Sequence, residues 1–426
     1  MSKTEDFQQN MTTETPLAKH QMNYPHIAII GAGIGGIALA LACLERRIPF
    51  TLFERDMAFN ARAQGYGLTL QQASKSMKKL GIENLQGGIV STLHYAHTAT
   101  GEIVGKWGLR SLENQEAIAL RNKNKPTNIH IARQSLRMAL MEQLGGENQV
   151  LWSHQLIDYK VQDKIQLTFK VQGEEKHYEA DLLVGADGIR STVHNLLIGE
   201  EKRPLKYLDC IVILGICKLE NLSHLNTHLL DGKTVFQTAN GTERMYMMPF
   251  DEQAIMWQFS FPIAEEEAKR LSKEGAESLK AEVYKRAQWH SPIPEIIAAT
   301  PKENITGYPV YDRALLHPDL LKEAGPITLI GDAAHPMSPF KGQGANQAIL
   351  DALLLADKIV NIYHSESFNM NIRESILTPF ELEMIERSSI KVKQSADAAK
   401  FLHTDIVLQE GNVTFGSKFS SSHLDN

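Results

Sequence analysis

The segment that most constrains the fold is His26 to Arg47, where the apolar run Ile27-Ala28-Ile29-Ile30 ends in Gly31-Ala32-Gly33-Ile34-Gly35-Gly36. A short apolar run ending in glycines is the pattern of a parallel strand buried on both faces. Ile37 to Arg46 then reads as helix and Phe50-Thr51-Leu52-Phe53 as a second strand, completing a βαβ unit. The glycines at 31, 33 and 36 spell GxGxxG. Gly31 permits the tight turn, Gly33 lets the backbone approach a pyrophosphate, and Gly36 lets the helix pack closely on the strand. The helix N-terminus offers free N–H groups and partial positive charge to phosphates. The second strand ends in Glu54, 18 residues after Gly36. A carboxylate there accepts hydrogen bonds from ribose hydroxyls and disfavours a 2′-phosphate. Arg55 is a further candidate for the cofactor site, although strand alternation aims its side chain at the opposite face.

No Asp, Glu, Lys or Arg occurs from His26 to Leu44, a window of the length a membrane helix needs. Its early glycines would spoil a spanning helix, so no membrane span is expected. The polar stretch 1–23 carries both charge signs and reads as a disordered tail, not a signal peptide. A length of 426 residues suggests two packed domains. The net charge of −6 gives no reason to expect nucleic acid or an anionic membrane as partner. Three cysteines without a CxxC pair argue against a disulfide framework and a zinc site, so no metal is expected. A reducing, cytoplasmic setting fits that usage.

Two later segments also end an apolar strand in a loop. Asp181 to Ser191 runs Leu-Leu-Val-Gly into Ala186-Asp187-Gly188 and Arg190-Ser191, which places a carboxylate and backbone N–H groups on a tight turn. Leu329-Ile330-Gly331-Asp332-Ala333-Ala334-His335-Pro336 delivers a second carboxylate, Asp332, suited to a ribityl or ribose hydroxyl. Pro339-Phe340-Lys341-Gly342-Gln343-Gly344-Ala345-Asn346 then leads into a helix expected over 344–363. Its N-terminus can face a negatively charged ring. His335 reads either as a general base or as a structural residue beside Pro336.

Taken in this order, the three loops resemble the class A FAD-dependent aromatic hydroxylases, and within them the tetracycline-inactivating monooxygenases. The likeness covers about Pro25 to Leu402 and includes Phe53-Glu54-Arg55-Asp56, Ala61-Arg62, Gly67-Leu68-Thr69-Leu70 and Arg133-Gln134-Ser135-Leu136-Arg137. It implies an α/β, Rossmann-type FAD-binding domain of the three-layer ββα, para-hydroxybenzoate hydroxylase-like kind. A second, mostly antiparallel β-sheet substrate domain and a C-terminal helix would complete it. The expected boundaries are 24–204 with 306–375 for FAD, 205–305 for substrate, 376–405 for a bridging helix and 406–426 for a tail. By the same resemblance Glu54 binds the adenosine ribose, Arg133 the ribityl or pyrophosphate portion, and Asp332 the ribityl chain. The Asp187 loop serves both FAD and NAD(P)H. Gly342, Gly344, Ala345 and Asn346 line the isoalloxazine ring, and Arg62 assists its reduction.

The implied reaction uses FAD, with NADPH or NADH as transient co-substrate and O₂, to hydroxylate an aromatic or polycyclic small molecule through a flavin C4a-hydroperoxide. A monomer or weak dimer is expected. Candidate substrate-pocket residues are Val235, Phe236, Tyr246, Met248, Met256, Trp257 and Pro339, each of which could equally be sheet core. Two rivals remain: a flavin-dependent halogenase, echoed in Trp257-Gln258-Phe259-Ser260-Phe261-Pro262, which lacks that family's second tryptophan while Lys75, Lys78 and Lys79 read better as a solvated helix face than as its lysine, and a non-catalytic FAD-binding regulator.

Overall fold

The computed structural model describes residues 24–61, 65–108, 128–365 and 371–409. Arg62, the segment 1–23 and the chain beyond 409 lie outside the described residues. A five-stranded parallel sheet forms the nucleotide side, in the order Ile327–Leu329, Leu182–Gly185, Ile27–Ile30, Phe50–Phe53, Val150–Leu151. Its central strands are apolar throughout because both faces are covered. One cover is the helix Ile34–Glu45, buried from Gly36 to Cys43 and packed against the helices Gly344–Tyr363 and Arg133–Leu144. Another is an antiparallel sheet of His154–Val161, Ile165–Val171 and Glu174–Ala180, docked through Phe169 stacked 4.3 Å from Phe53. The sheet order brings the ends of Ile27–Ile30, Leu182–Gly185 and Ile327–Leu329 side by side. All three glycine-bearing loops therefore leave the same sheet edge, where open α/β sheets bind ligands.

The second layer is a seven-stranded, mostly antiparallel sheet: Ile305–Arg313, Leu205–Lys218, Ala254–Pro262, Arg244–Asp251, Thr234–Ala239, Leu93–Thr98, Ile103–Trp107. Three of these strands fall partly or wholly outside 205–305, so no contiguous segment with those limits contains the sheet. Leu93–Thr98 lies parallel to Thr234–Ala239, a long-range pairing that local patterning does not reveal. A small sheet of Gly67–Leu70, Ile129–Ala132 and Ile89–Val90 lies between the two layers. The C-terminal helix Thr378–Phe401 ties them together. Phe380 and Met384 sit in the nucleotide-side core, and Ala398 and Ala399 in the core beneath the large sheet. The turn Asp405–Leu408 buries Val407 there too, so packed chain continues past residue 405.

Strand alternation sorts the large sheet's side chains into two sets. Phe236, Met247, Trp257 and Phe259 face the helices Glu265–Glu274, Ala276–Arg286 and Ile293–Ala299, where they form one core. Trp257 is fully buried and donates from its indole to Thr300 Oγ1 at 2.9 Å. Val235, Met248 and Met256 face the other way. Trp257→Ala should therefore cost about 3–5 kcal/mol of stability, as expected for a buried aromatic. Denaturant unfolding of the variant, with its cofactor content, checks this; a neutral effect on stability would reject the core position.

Candidate functional site

A cleft of about 1470 Å³ runs between the two layers. That exceeds the roughly 300–1,000 Å³ of a single small-ligand pocket. One end is walled by Gly31, Gly33, Glu54 and Arg133, the middle by Asp332 and the turn 341–345, and the other end by Tyr246, Met248, Met256 and Pro339.

The three motif glycines serve separate purposes. Gly31 has φ +105°, and a Cβ on it would lie 2.7 Å from the Ala186 carbonyl oxygen. At Gly36 a Cβ would fall 1.9 Å from the Gly31 oxygen, so the helix could not sit this close to the turn. At Gly33 no protein atom lies within 4 Å of the Cβ position, which leaves its side open on the cleft. Glu54 is buried, accepting from Ala32 N–H at 2.8 Å and Asp56 N–H at 3.0 Å. Arg55 is exposed and also borders the cleft, contrary to the alternation argument. The strand ends at Phe53, so period-two geometry no longer governs position 55.

Arg133 opens the helix Arg133–Leu144 and lies 5.4 Å from the Tyr66 ring centroid. Its Nη1 is buried without a hydrogen-bond partner, in a residue that borders the cleft. One turn later Arg137, not singled out from sequence as a functional residue, also borders the cleft and donates to Ala32 O at 2.8 Å and Phe59 O at 2.9 Å, fixing the glycine turn. The available signal was an arginine beside the apolar positions Leu136, Leu140 and Leu144.

Asp187 spends its carboxylate on its own loop. It accepts from the Ser191 hydroxyl, from Thr192 N–H at 2.6 Å and from Val193 N–H at 3.3 Å, while Ser191 caps the helix Thr192–Leu197. Burial raises its pKa and these bonds oppose the rise. Asp332 differs. Its exposed surface opens into the cleft, and its carboxylate has no hydrogen-bond partner among the described residues. Protein surrounds that cleft, so burial pushes its pKa up, with His335 and Arg133 pulling down. His335 itself is buried and bonded through Nε2 to Asp351 at 2.7 Å. Asp351 also accepts from Gly331 N–H at 2.9 Å and from Arg387. This buried clamp holds the turn before Asp332, which is the structural alternative for His335.

Gly342 has φ +60°, which closes the Pro339–Lys341 turn ahead of the helix Gly344–Tyr363. Gly342, Gly344 and Ala345 border the cleft, but the Asn346 side chain does not. It is fully buried. Its amide accepts from Gln71 N–H at 2.8 Å and Ala73 N–H at 3.2 Å and donates to Thr69 O and Gly342 O, both at 2.9 Å. Asn346 thus latches the Gly67–Leu70 strand to the helix. On the far wall Tyr246, Met248, Met256 and Pro339 border the cleft. Phe236 and Trp257 do not, because they belong to the opposite sheet face. Beside Met248, Thr69 Oγ1 and His130 Nδ1 are joined at 3.0 Å, His130 Nε2 and Ser91 Oγ at 2.8 Å, and Ser91 Oγ and His94 Nε2 at 3.1 Å.

These residues fit an extended dinucleotide carrying a flat ring system. There is open glycine backbone and an unsatisfied guanidinium nitrogen for phosphate, and a free carboxylate for sugar hydroxyls. A helix N-terminus faces the middle of the cleft. The comparisons agree. Residues 25–369 match the FAD binding domain family, and the chain belongs to that family of FAD-dependent monooxygenases. It is an oxidoreductase and its cofactor is FAD. It is 28% identical to the aurachin C monooxygenase/isomerase of Stigmatella aurantiaca, covering 78% of this chain and 79% of that one. It spans about half the length (54%) of the zeaxanthin epoxidase of Oryza sativa subsp. japonica, at 26% identity over 86% of this chain. Among solved structures, Klebsiella pneumoniae HpxO complexed with FAD and uric acid superposes with a TM-score of 0.72 at 19% identity, covering 92% of this chain and 90% of that one. Tetracycline destructase Tet(51) superposes with 0.60 at 21%, covering 90% and 93%. These are the fold and the relationship that the three loops implied. No helix among the described residues is long and apolar enough to cross a membrane.

Gly33→Ala should leave stability near wild type and weaken FAD, whereas Gly36→Ala should destabilise by about 1–3 kcal/mol or more through overpacking. Melting temperature and FAD titration separate the two; equal effects would reject the division of labour. A second expectation concerns acid. Burial lowers the pKa of His130 to about 3, and those of His94 and His403 to about 4, from 6.5. These folded values are depressed, so the unfolded chain takes up protons first as pH falls below about 6.5. Stability should drop from there towards pH 4, and His130→Gln should make the drop shallower. An unchanged slope would contradict burial of a neutral His130.

Proposed function

We propose that the chain uses NAD(P)H and O₂ to hydroxylate an aromatic or polycyclic, polyketide-like small molecule. The observation that carries this reading is the single cleft, glycine-lined and polar around Gly33, apolar around Met248 and Met256, with the Gly342 turn between. When bound there, FAD supplies hydride acceptance and oxygen activation. The chain does the rest. Gly33 and Arg133 take the pyrophosphate and ribityl oxygens, Glu54 the adenosine ribose, and Asp332 a ribityl hydroxyl. The N-terminus of Gly344–Tyr363 favours negative charge on the ring. Leu214, Met248 and Met256 exclude water from oxygen transfer. The Asp187 loop, held by its own hydrogen bonds, lines the cleft and would be shared by NAD(P)H. Arg62 assists ring reduction on this reading. The uric acid bound to HpxO supports an aromatic substrate.

The lysines and the tryptophan weighed for a halogenase lie away from the cleft. Lys75, Lys78 and Lys79 are exposed on a short outer helical segment, and Trp257 is in the core. The test is direct. Purified protein should be yellow and should oxidise NAD(P)H faster with a phenolic, indolic or polyketide substrate, giving a product heavier by one oxygen atom. Asp332→Ala should weaken FAD about tenfold or more, the scale of a hydrogen bond to a charged group. A colourless protein that refuses FAD would overturn the reading, and a stable holoenzyme without oxygenated product would favour the regulator.

A further inference from the structure

One side chain of the C-terminal helix is tied to both loops at the middle of the cleft. Arg387, on Thr378–Phe401, donates from Nη2 to Asp351 Oδ1 and from Nε to Gln347 Oε1 at 3.0 Å. Gln347 and Asp351 lie four residues apart on Gly344–Tyr363 and both are fully buried, so one guanidinium fork spans a single helix face. The Asp351 arm ends at the Gly331 N–H and His335. The Gln347 arm leads to the start of its own helix. Gln347 Nε2 lies 3.4 Å from Gln343 Oε1 and 3.3 Å from Gln72 Oε1. Gln343 Nε2 donates to Gln71 Oε1 at 2.7 Å, and Gln71 Nε2 reaches Lys341 O at 3.4 Å. Gln343 and Gln71 border the cleft with Gly342.

This chain has a direction. A glutamine amide accepts at its oxygen and donates at its nitrogen, whereas arginine only donates. Gln347 therefore turns its oxygen to Arg387 and its nitrogen to Gln343. Gln343 meets that nitrogen with its own oxygen and turns its nitrogen to Gln71, which repeats the pattern. Reversing one amide alone would set donor against donor or acceptor against acceptor. The short bonds at Arg387 and at Gln71, 3.0 and 2.7 Å, hold the direction more firmly than the longer links between them. Both cleft-edge amide oxygens are engaged within the chain. Each amide nitrogen has a second hydrogen beyond the bond named for it.

We infer that Arg387 is a positioning residue for the flavin ring. As the donor-only end of the chain, it orients Gln343 and Gln71 so that N–H groups, not oxygens, meet the ring's carbonyl edge. The inference rests on the placement of the ring at the Gly342 turn proposed above, and it gives the C-terminal helix a part in tuning that ring. Reduction adds electron density to the carbonyl edge. Preset donors there favour the reduced ring over the oxidised one.

The readouts are FAD affinity in both redox states, the flavin absorption bands and the midpoint potential of the holoenzyme. Gln347→Met cuts the chain without changing charge. It should weaken reduced FAD about tenfold more than oxidised FAD, the scale of one hydrogen bond to a charged group, and so lower the two-electron potential by about 30 mV. Arg387→Met should lower the potential at least as far. The double variant should go no further than Arg387→Met, because both substitutions act through one chain. Lys358→Met removes an equal charge from the same helix pair, where Lys358 holds Glu383 at 3.0 Å, and should leave the potential near wild type. Gln343→Met cuts the chain one link nearer the ring and should shift the potential in the same sense, which covers a poorly folding Gln347 variant. An unchanged potential in Gln347→Met or Gln343→Met, equal weakening of both redox states, or additive effects in the double variant would overturn the inference. So would a fall in Lys358→Met as large as that in Arg387→Met. A wild-type protein that refuses FAD would overturn the placement of the cofactor itself, and this inference with it.

Discussion

Everything at this site depends on how closely the Gly31 turn meets the loop after Leu182–Gly185. The Ala186 carbonyl occupies the space a side chain on Gly31 would need, and the Gly31 carbonyl occupies the space a side chain on Gly36 would need. Those two contacts set the helix Ile34–Glu45 onto its strand and bring the Asp187 loop beside the glycine turn. The third strand, Ile327–Leu329, pairs with Leu182–Gly185 and carries Asp332 to the same edge. Parallel pairing in this order is what converts three separated motifs into one wall of a cleft.

Second-tier contacts then hold that wall still. Arg137 ties the Ala32 carbonyl to the Phe59 carbonyl. Asp351 gathers Gly331, His335 and Arg387, and Asn346 latches the helix Gly344–Tyr363 to the strand Gly67–Leu70. Arg137, Asp351 and Asn346 are buried with these partners in place, the arrangement that rigidifies a core. Two groups left open, Arg133 Nη1 and the Asp332 carboxylate, belong to residues bordering the cleft.

Much of this was legible in the sequence where the information is local. The βαβ unit, its glycines, the helices 133–144 and 344–363 and the three strand-end loops follow from periodicity and turn chemistry, and the family follows from their order. Non-local facts were hidden. Leu93–Thr98 joins the large sheet through a pairing across more than a hundred residues, so a domain limit at 205 could not be drawn from composition. Alternation along Arg244–Pro262 was visible, but which face met helices and which met the cleft depended on packing. That is why Trp257 and Phe236 were placed with Met248 and Met256. Asn346 looked like a ring contact because it lies in the glycine-rich loop, yet its amide is consumed by four bonds within the protein.

The central claim is that FAD lies along this cleft with its phosphates at Gly33 and its ring at the Gly342 turn. A crystal structure of the FAD-loaded protein tests it most directly. The pyrophosphate should lie within hydrogen-bonding distance of the Gly33 backbone and Arg133 Nη1, with the ring against 342–345 and open towards Met248. A flavin bound elsewhere, or one whose phosphates leave Arg133 Nη1 unpaired, would contradict it.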